Sequence, residues 1–130
     1  PVFLSPDAGA IDLAETTRDA FGDGAVDYFE KERDYDTGDV TITPSEVDVA
    51  GRDVVVVDDI IATGSTMSEA IAILQDRDPK RVFVATVHPL LVGNAQTKLA
   101  NAGVEAVLGT DTIERAVSRT SVAPAIAEVL

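Results

Sequence analysis

The sequence lacks cysteine altogether and has one histidine among its 130 residues. Without cysteine there is neither a disulfide framework nor a thiolate site, and a single histidine excludes a histidine-rich metal centre within these residues. No apolar run approaches the roughly 20 residues that a membrane-spanning helix needs, and the apolar start at residues 1–4 is too short for a signal peptide. These absences predict a cytoplasmic protein with no membrane partner.

Basic residues are also scarce, since 10 lysines and arginines stand against 23 acids and give a formal net charge of -13. A surface this acidic repels nucleic acid, so we expect no nucleic-acid partner. The acids are spread through a sequence that is 45% hydrophobic and has clear apolar periodicity, which indicates one folded domain. High acid content with few lysines indicates adaptation to high intracellular salt, and hence a halophilic source.

Residues 52–67 carry the most informative pattern. The four consecutive valines at 54–57 predict a strand buried on both faces, as in a parallel sheet. Asp58 and Asp59 follow where this strand is expected to end. A short loop rich in hydroxyl groups comes next: Thr63, Gly64, Ser65 and Thr66.

This loop is suited to binding phosphate. Gly64 lets the backbone come close, hydroxyl and N–H groups supply donors, and the helix expected to begin near Thr66 offers its positive end. Carboxylates cannot hold a phosphate, so the partners of Asp58 and Asp59 are sugar hydroxyls or a divalent cation. A phosphorylated sugar satisfies both halves of the motif. The alternative is an ordinary strand-to-helix turn capped by threonine and aspartate.

Strands and helices alternate along the chain. Apolar patterns predict strands at residues 2–4, 26–29, 40–43, 54–57, 81–87 and 104–108, and helices at 11–21, 66–75, 94–102 and 123–130. The charged stretch 30–38 predicts an exposed, mobile loop or a hairpin. This order predicts a three-layer α/β fold with a mainly parallel sheet flanked by helices. Ligands bind at the carboxyl edge of such a sheet, where the loops 5–10, 58–66 and 88–94 are expected.

The acidic pair and its loop resemble the phosphoribosyl-diphosphate binding motif of type I phosphoribosyltransferases and ribose-phosphate diphosphokinases. That motif reads two acids, two apolar residues, any residue, then Thr-Gly-any-Thr. Further segments resemble the diphosphokinase family in the same order: residues 5–9, 31–33, 86–88, 110–113 and 121–128. The resemblance implies a type I phosphoribosyltransferase fold. It also implies that the chain is one domain, the C-terminal half of a two-domain diphosphokinase of archaeal type.

The resemblance assigns an activity and roles to residues of this sequence. The family transfers the diphosphoryl group of ATP, with Mg²⁺, to ribose 5-phosphate and releases AMP. Residues implied to bind ribose 5-phosphate are Asp58, Asp59, Thr63, Gly64, Ser65 and Thr66. Residues implied to bind the diphosphate are Asp7, Ala8, Gly9 and Ala10, with Asp7 also a ligand of the metal. Lys31 and Arg33 are implied to be catalytic, because cations neutralise charge on the transferring group.

Three positions depart from the family pattern. Ala10 replaces a usual glycine, Asp12 stands near a usual basic residue, and Ala62 stands where many relatives have an acid. In the family, the ATP base and a metal-binding histidine come largely from the N-terminal half and from a neighbouring subunit. The resemblance therefore implies a homo-oligomer and an isolated chain that is inactive or nearly so.

Alternative functions and roles stay open from the sequence. An adenine-type phosphoribosyltransferase shares the loop pattern, but it needs an aromatic hood for which four Phe and two Tyr leave little. A non-catalytic regulatory paralogue would not need Lys31 and Arg33, although such charges alone are ordinary surface features. His88 is expected near the phosphate site in a supporting role. Thr110 and Thr112 either complete a loop near the nucleotide or turn the chain.

The halophilic hypothesis predicts that the melting temperature rises between low salt and molar KCl, because screening relieves the repulsion among the acids. Thermal melts followed by circular dichroism at the two salt concentrations measure it. A Tm that stays constant or falls would contradict the hypothesis.

Overall fold

A parallel sheet forms the centre of this computed structural model, which describes residues 1–43 and 46–130. The strands are β1 (Val2–Ser5), β2 (Ala25–Tyr28), β3 (Glu30–Arg33), β4 (Val40–Thr43), β5 (Asp53–Ile61), β6 (Arg81–Pro89), β7 (Ala106–Thr110) and β8 (Ser118–Thr120). Six of them lie in the order β2-β1-β5-β6-β7-β8, and each neighbouring pair is parallel. The other two, β3 and β4, form a separate antiparallel hairpin.

Helices lie on both faces of the sheet. They are α1 (Ile11–Phe21), α2 (Ser65–Gln75), α3 (Ala95–Asn101) and α4 (Ala123–Val129), and a 3-10 helix at Ala8–Ala10 precedes α1. Successive strand residues point to opposite faces, so the valines of β5 contribute to two hydrophobic clusters. Val54 and Val56 belong to the cluster that contains α2 and α3. Val57 belongs to the cluster that contains Ala14 of α1. The three-layer arrangement is confirmed.

Several predicted elements are confirmed, but the end of β5 was misplaced. The helix at residues 11–21 has the predicted bounds, and the stretch at 30–38 contains the first strand of a hairpin. The expectation that β5 ends before the acidic pair was wrong, because β5 continues to Ile61. Its partner β6 is equally long, and the pairs Ile60 with His88 and Ile61 with Pro89 extend the ladder.

Two differences occur at the far edge of the sheet. The strand predicted at residues 104–108 lies at Ala106–Thr110, and β8 was not predicted at all. This last strand is only three residues long and polar, so it has no alternating apolar pattern to reveal it. Pairing with β7 through Gly109 and Thr110 is what holds β8 in the sheet.

The parallel arrangement brings three connections to one edge. Residues after β1, β5 and β6 all leave the carboxyl ends of adjacent strands. Backbone hydrogen bonds tie two of these connections together, from the Leu91 N–H to the Ile61 carbonyl (3.0 Å) and from the Val92 N–H to the Ala62 carbonyl (2.9 Å). Within the described residues, no helix has the length and apolar character needed to cross a lipid bilayer.

Candidate functional site

Gly64 directly precedes α2 and sets the shape of the loop after β5. Its φ of 77° lies in the left-handed region, which a residue with a Cβ adopts only at a cost. A Cβ at Gly64 would lie 3.5 Å from the Cβ of Ala95, an ordinary contact, so the requirement for glycine is conformational. Because glycine has no side chain, none caps the first turn of α2 from this position. The Ser65 N–H donates to Thr63 Oγ1 over 3.4 Å, and the N–H groups that follow it in this turn can face an anion.

The hydroxyl groups of the loop line a cavity of about 210 Å³. The Thr63 hydroxyl donates to Ser65 Oγ over 3.4 Å, and Lys98 Nζ of α3 donates to the same oxygen over 3.0 Å. The side chains and backbone that line this cavity come from three connections: Pro6, Asp7, Lys31, Asp58, Ile60, Ile61, Ala62, Thr63, Gly64, Ser65, Thr66 and Met67. The structure therefore gathers most of the residues implied to bind ribose 5-phosphate around one space.

The acidic pair lies inside β5 at the mouth of the loop. Asp58 is partly buried and lines the cavity, whereas Asp59 is exposed and does not line it. The Asp59 N–H donates to Asp58 Oδ1 (2.8 Å), and the Ile60 N–H donates to Asp59 Oδ1 (2.8 Å). Burial, followed by the neighbouring Asp59 carboxyl and the charge of Asp7, raises the pKa of Asp58 to about 7. Burial among other carboxyls thus disfavours the ionised form of Asp58.

The connection after β1 is held by Asp7. Its Oδ1 accepts a hydrogen bond from the Gly9 N–H (2.8 Å), which caps the short helix, and the Ser5 hydroxyl donates to the Asp7 carbonyl. A second cavity of about 550 Å³ lies beside Asp7. Its lining residues are Asp7, Ala8, Gly9, Tyr28, Phe29, Glu30, Lys31 and Glu32. Asp7 and Lys31 line both cavities. Ala10 is buried in the fold and lines neither.

The two predicted catalytic cations lie on β3. Lys31 is paired with Ile42 and Arg33 with Val40 in the hairpin, so this segment is extended and the two cations share a face, as their alternating positions predicted. Both side chains are exposed. Lys31 reaches the cavities, whereas Arg33 lines neither of them.

His88 belongs to a small hydrogen-bond network at the end of β6. The Thr112 hydroxyl donates to the Val87 carbonyl (2.8 Å), and its oxygen lies 2.8 Å from His88 Nδ1. Thr110 also donates to the Val87 carbonyl (2.7 Å). These bonds connect the end of β7 and the turn that follows it to β6.

The residues around the first cavity fit a magnesium ion held in part by substrate. Within residues 1–43 and 46–130, no group of three or more acidic or histidine side chains is arranged to hold a metal. Asp7 and Asp58 nevertheless face one space. Magnesium commonly binds through one or two carboxylates together with water and substrate phosphates. The donor set therefore suits Mg²⁺ with a phosphorylated ligand.

The contact of Lys98 with the loop was not predicted from the sequence. Lys98 lies 33 positions after Ser65 on a different helix, and no motif of the sequence connects the two. Only the packing of α3 beside the loop brings its ammonium group to Ser65.

This geometry agrees with the family comparison. The sequence profile of the phosphoribosyl transferase domain matches residues 1–123. The chain belongs to this family. The prediction of a type I phosphoribosyltransferase-like fold is confirmed.

Proteins named ribose-phosphate pyrophosphokinase are among the relatives of the chain. The protein of Halobacterium salinarum, a halophilic archaeon, is 67% identical over all 130 residues, which cover 45% of that protein. Ribose-phosphate pyrophosphokinase 2 of Archaeoglobus fulgidus is 49% identical over 127 residues, which are 98% of this chain and 46% of that protein. The chain thus spans less than half the length of these curated relatives. The predicted resemblance to the diphosphokinases is confirmed.

Solved structures agree with the fold. Phosphoribosylpyrophosphate synthetase from Mycobacterium smegmatis superimposes with a TM-score of 0.76 and 27% identity, over 98% of this chain and 43% of that one. A purine phosphoribosyltransferase from Pyrococcus horikoshii gives a TM-score of 0.62 and 21% identity, over 71% of this chain and 64% of that one. The second likeness concerns the fold alone.

The raised pKa of Asp58 predicts a pH dependence of stability. The folded chain keeps this proton up to about pH 7, whereas the unfolded chain releases it in the ordinary carboxyl range. Between the ordinary carboxyl pKa and about pH 7, the folded chain therefore binds more protons than the unfolded chain. Asp58 thus makes the free energy of unfolding fall as the pH rises toward about 7. Asp58→Asn should remove the contribution of Asp58 to this decrease in the free energy of unfolding.

Chemical denaturation at several pH values between 5 and 8 measures this effect, with Asp76→Asn at an exposed aspartate as the matched control. An Asp58→Asn chain with the same pH slope as the unaltered chain would contradict the assignment.

Proposed function

We propose that this chain is the phosphoribosyl-diphosphate-forming domain of a ribose-phosphate diphosphokinase. The whole protein would transfer the β,γ-diphosphoryl group of ATP to the 1-hydroxyl of ribose 5-phosphate and release AMP. The observation that carries the proposal is that Asp7 and Lys31 line both cavities. One cavity contains the phosphate loop and the other contains the proposed diphosphate loop, so a group passing between them would meet these two residues.

The first cavity supplies groups suited to ribose 5-phosphate. The phosphate would meet the first turn of α2 and the hydroxyls of Thr63, Ser65 and Thr66, which are donors. Ionised Asp58 and Asp59 would accept hydrogen bonds from the ribose hydroxyls. Since Asp58 has a pKa of about 7, a divalent cation or sugar hydroxyls that stabilise its charge would favour ionisation.

The second cavity is proposed to receive the diphosphate. Ala8 and Gly9 are the proposed backbone contributors there, whereas Ala10, which the resemblance also implied, lines neither cavity. Asp7 is the proposed ligand of Mg²⁺. Lys31 would neutralise charge on the transferring group, and Arg33 would join it if the exposed hairpin moves toward the nucleotide. Catalysis by such a site depends on position and charge rather than on covalent chemistry, because phosphoryl transfer needs little more.

Further partners belong to the same proposal. The chain spans 45% of the Halobacterium salinarum protein, and we propose that it is the C-terminal one of two domains. The missing half and a neighbouring subunit of a homo-oligomer would complete the ATP site, so the chain alone would be inactive or nearly so. A cytoplasmic location and the absence of nucleic-acid and membrane partners stay predictions from composition.

A protein that carries this chain together with the other half found in its relatives should form AMP from ATP and ribose 5-phosphate with Mg²⁺ present. In that protein, Lys31→Ala should lower kcat by about 100-fold or more while ribose 5-phosphate binding persists, because the loss is in transition-state stabilisation. Lys80→Ala is the matched control, since Lys80 is exposed and precedes β6 at the opposite edge of the sheet.

AMP formation and calorimetric binding of ribose 5-phosphate measure the two effects. Product formation that requires a free nucleobase would favour the adenine-type phosphoribosyltransferase instead. A protein that binds ribose 5-phosphate but forms no AMP would favour the regulatory paralogue. Lys31→Ala turnover equal to that of Lys80→Ala would exclude the role given to Lys31.

A further inference from the structure

Lys98 of α3 donates a hydrogen bond to the phosphate loop. Its Nζ lies 3.0 Å from Ser65 Oγ, and Lys98 is partly buried although it does not line the cavity itself. Ser65 does line the cavity. A link therefore runs from a cation on α3, through one hydroxyl, to the space where the phosphate is proposed to bind.

The position of Lys98 is set by the packing of α3. Ala95 and Leu99, on either side of it in the helix, are fully buried in the same hydrophobic cluster. Ala95 also packs against Gly64, at the start of α2. The backbone hydrogen bonds from Leu91 and Val92 to the end of β5 and the loop fix the connection that precedes α3. Lys98 is thus held beside Ser65 by a rigid support.

The hydrogen bonds that Ser65 Oγ accepts leave its own proton available. A serine oxygen has two lone pairs and one proton. The Thr63 hydroxyl and the Lys98 ammonium group donate to that oxygen, at 3.4 Å and 3.0 Å, and so occupy both lone pairs. The proton of Ser65 is then free to point toward a further acceptor, and the residue faces the cavity.

The charge of Lys98 has no acidic partner within residues 1–43 and 46–130. It forms no ion pair with any residue that the structure describes, although the chain has 23 acids. Lys98 lies in the last turn of α3, where a cation is favourable for the helix dipole. That explains a cation at this position but not why its ammonium group points to a neutral hydroxyl at the phosphate loop.

We infer that Lys98 is a positioning residue for the phosphate loop, which holds Ser65 as a hydrogen-bond donor to the 5-phosphate of the substrate. This inference rests on the proposed function, because it assumes that the cavity receives a phosphorylated sugar. The positive charge of Lys98 polarises the Ser65 hydroxyl and strengthens its bond to an anion. Lys98 thereby acts on the ligand through Ser65.

Isothermal titration calorimetry on this chain, with Mg²⁺ and at one fixed KCl concentration, tests the inference with ribose 5-phosphate and inorganic phosphate as probes. Lys98→Met should weaken the binding of both probes about tenfold, since it removes a charge-assisted hydrogen bond. Lys98→Arg keeps the cation and should bind within about threefold of the unaltered chain. Lys80→Met, which removes the same charge far from the loop, should leave both affinities unchanged.

A double-mutant cycle separates action through Ser65 from independent action. Ser65→Ala should weaken binding about tenfold, and the Ser65→Ala, Lys98→Met double variant should lose little more than either single variant. Tm values within a few degrees of the unaltered chain exclude a general loss of structure.

Four outcomes overturn the inference. Unchanged binding in Lys98→Met while the unaltered chain binds ribose 5-phosphate would defeat it and leave the proposed function standing. Losses that multiply in the double variant, or an Lys98→Arg chain as weak as Lys98→Met, would show that Lys98 does not act through Ser65 by its charge. An unaltered chain that binds neither probe would defeat the inference and the proposed ribose 5-phosphate site together.

Discussion

The parallel pairing of β5 with β1 and β6 is the constraint on which the rest of the structure depends. It buries the valines of β5 between helices on two faces and brings the carboxyl ends of three strands to one edge. Because β5 and β6 remain paired beyond the acidic residues, Asp58 and Asp59 are fixed by backbone hydrogen bonds rather than left on a mobile loop. The loop then turns at Gly64 into α2 from a rigid starting point.

The cavity at the carboxyl edge of the sheet has an acidic side and a side suited to binding an anion. Burial and neighbouring carboxyls raise the pKa of Asp58 and so disfavour its ionised form. A cation or hydroxyl donors in the cavity would stabilise the carboxylate and favour ionisation. Backbone N–H groups, hydroxyls and Lys98 make the other side suitable for an anion. In a chain with a net charge of -13, a cavity with an acidic side and an anion-binding side supports the proposed ligand, which is a sugar at one end and a phosphate at the other.

Local patterns were sufficient to predict much of this arrangement. The valines of β5, the helix at Ile11–Phe21 and the loop at Gly64 are each specified by neighbouring residues, and they were found where they were predicted. The extension of β5 depends on the length of β6, the edge strand β8 depends on β7, and the contact of Lys98 with Ser65 depends on how α3 packs. These features arise from residues far apart in the sequence, so no local pattern contains them.

The central claim is that the loop after β5 and the acidic pair bind one ribose 5-phosphate molecule. Titration of the ¹⁵N-labelled chain with ribose 5-phosphate, in molar KCl with Mg²⁺, tests it most directly through the backbone amide shifts. The account predicts saturable shifts at Gly64, Ser65, Thr66 and Asp59, and no comparable shifts at the loop when ribose replaces the phosphorylated sugar. Amide shifts that are absent, or that appear away from the carboxyl edge of the sheet, would contradict it.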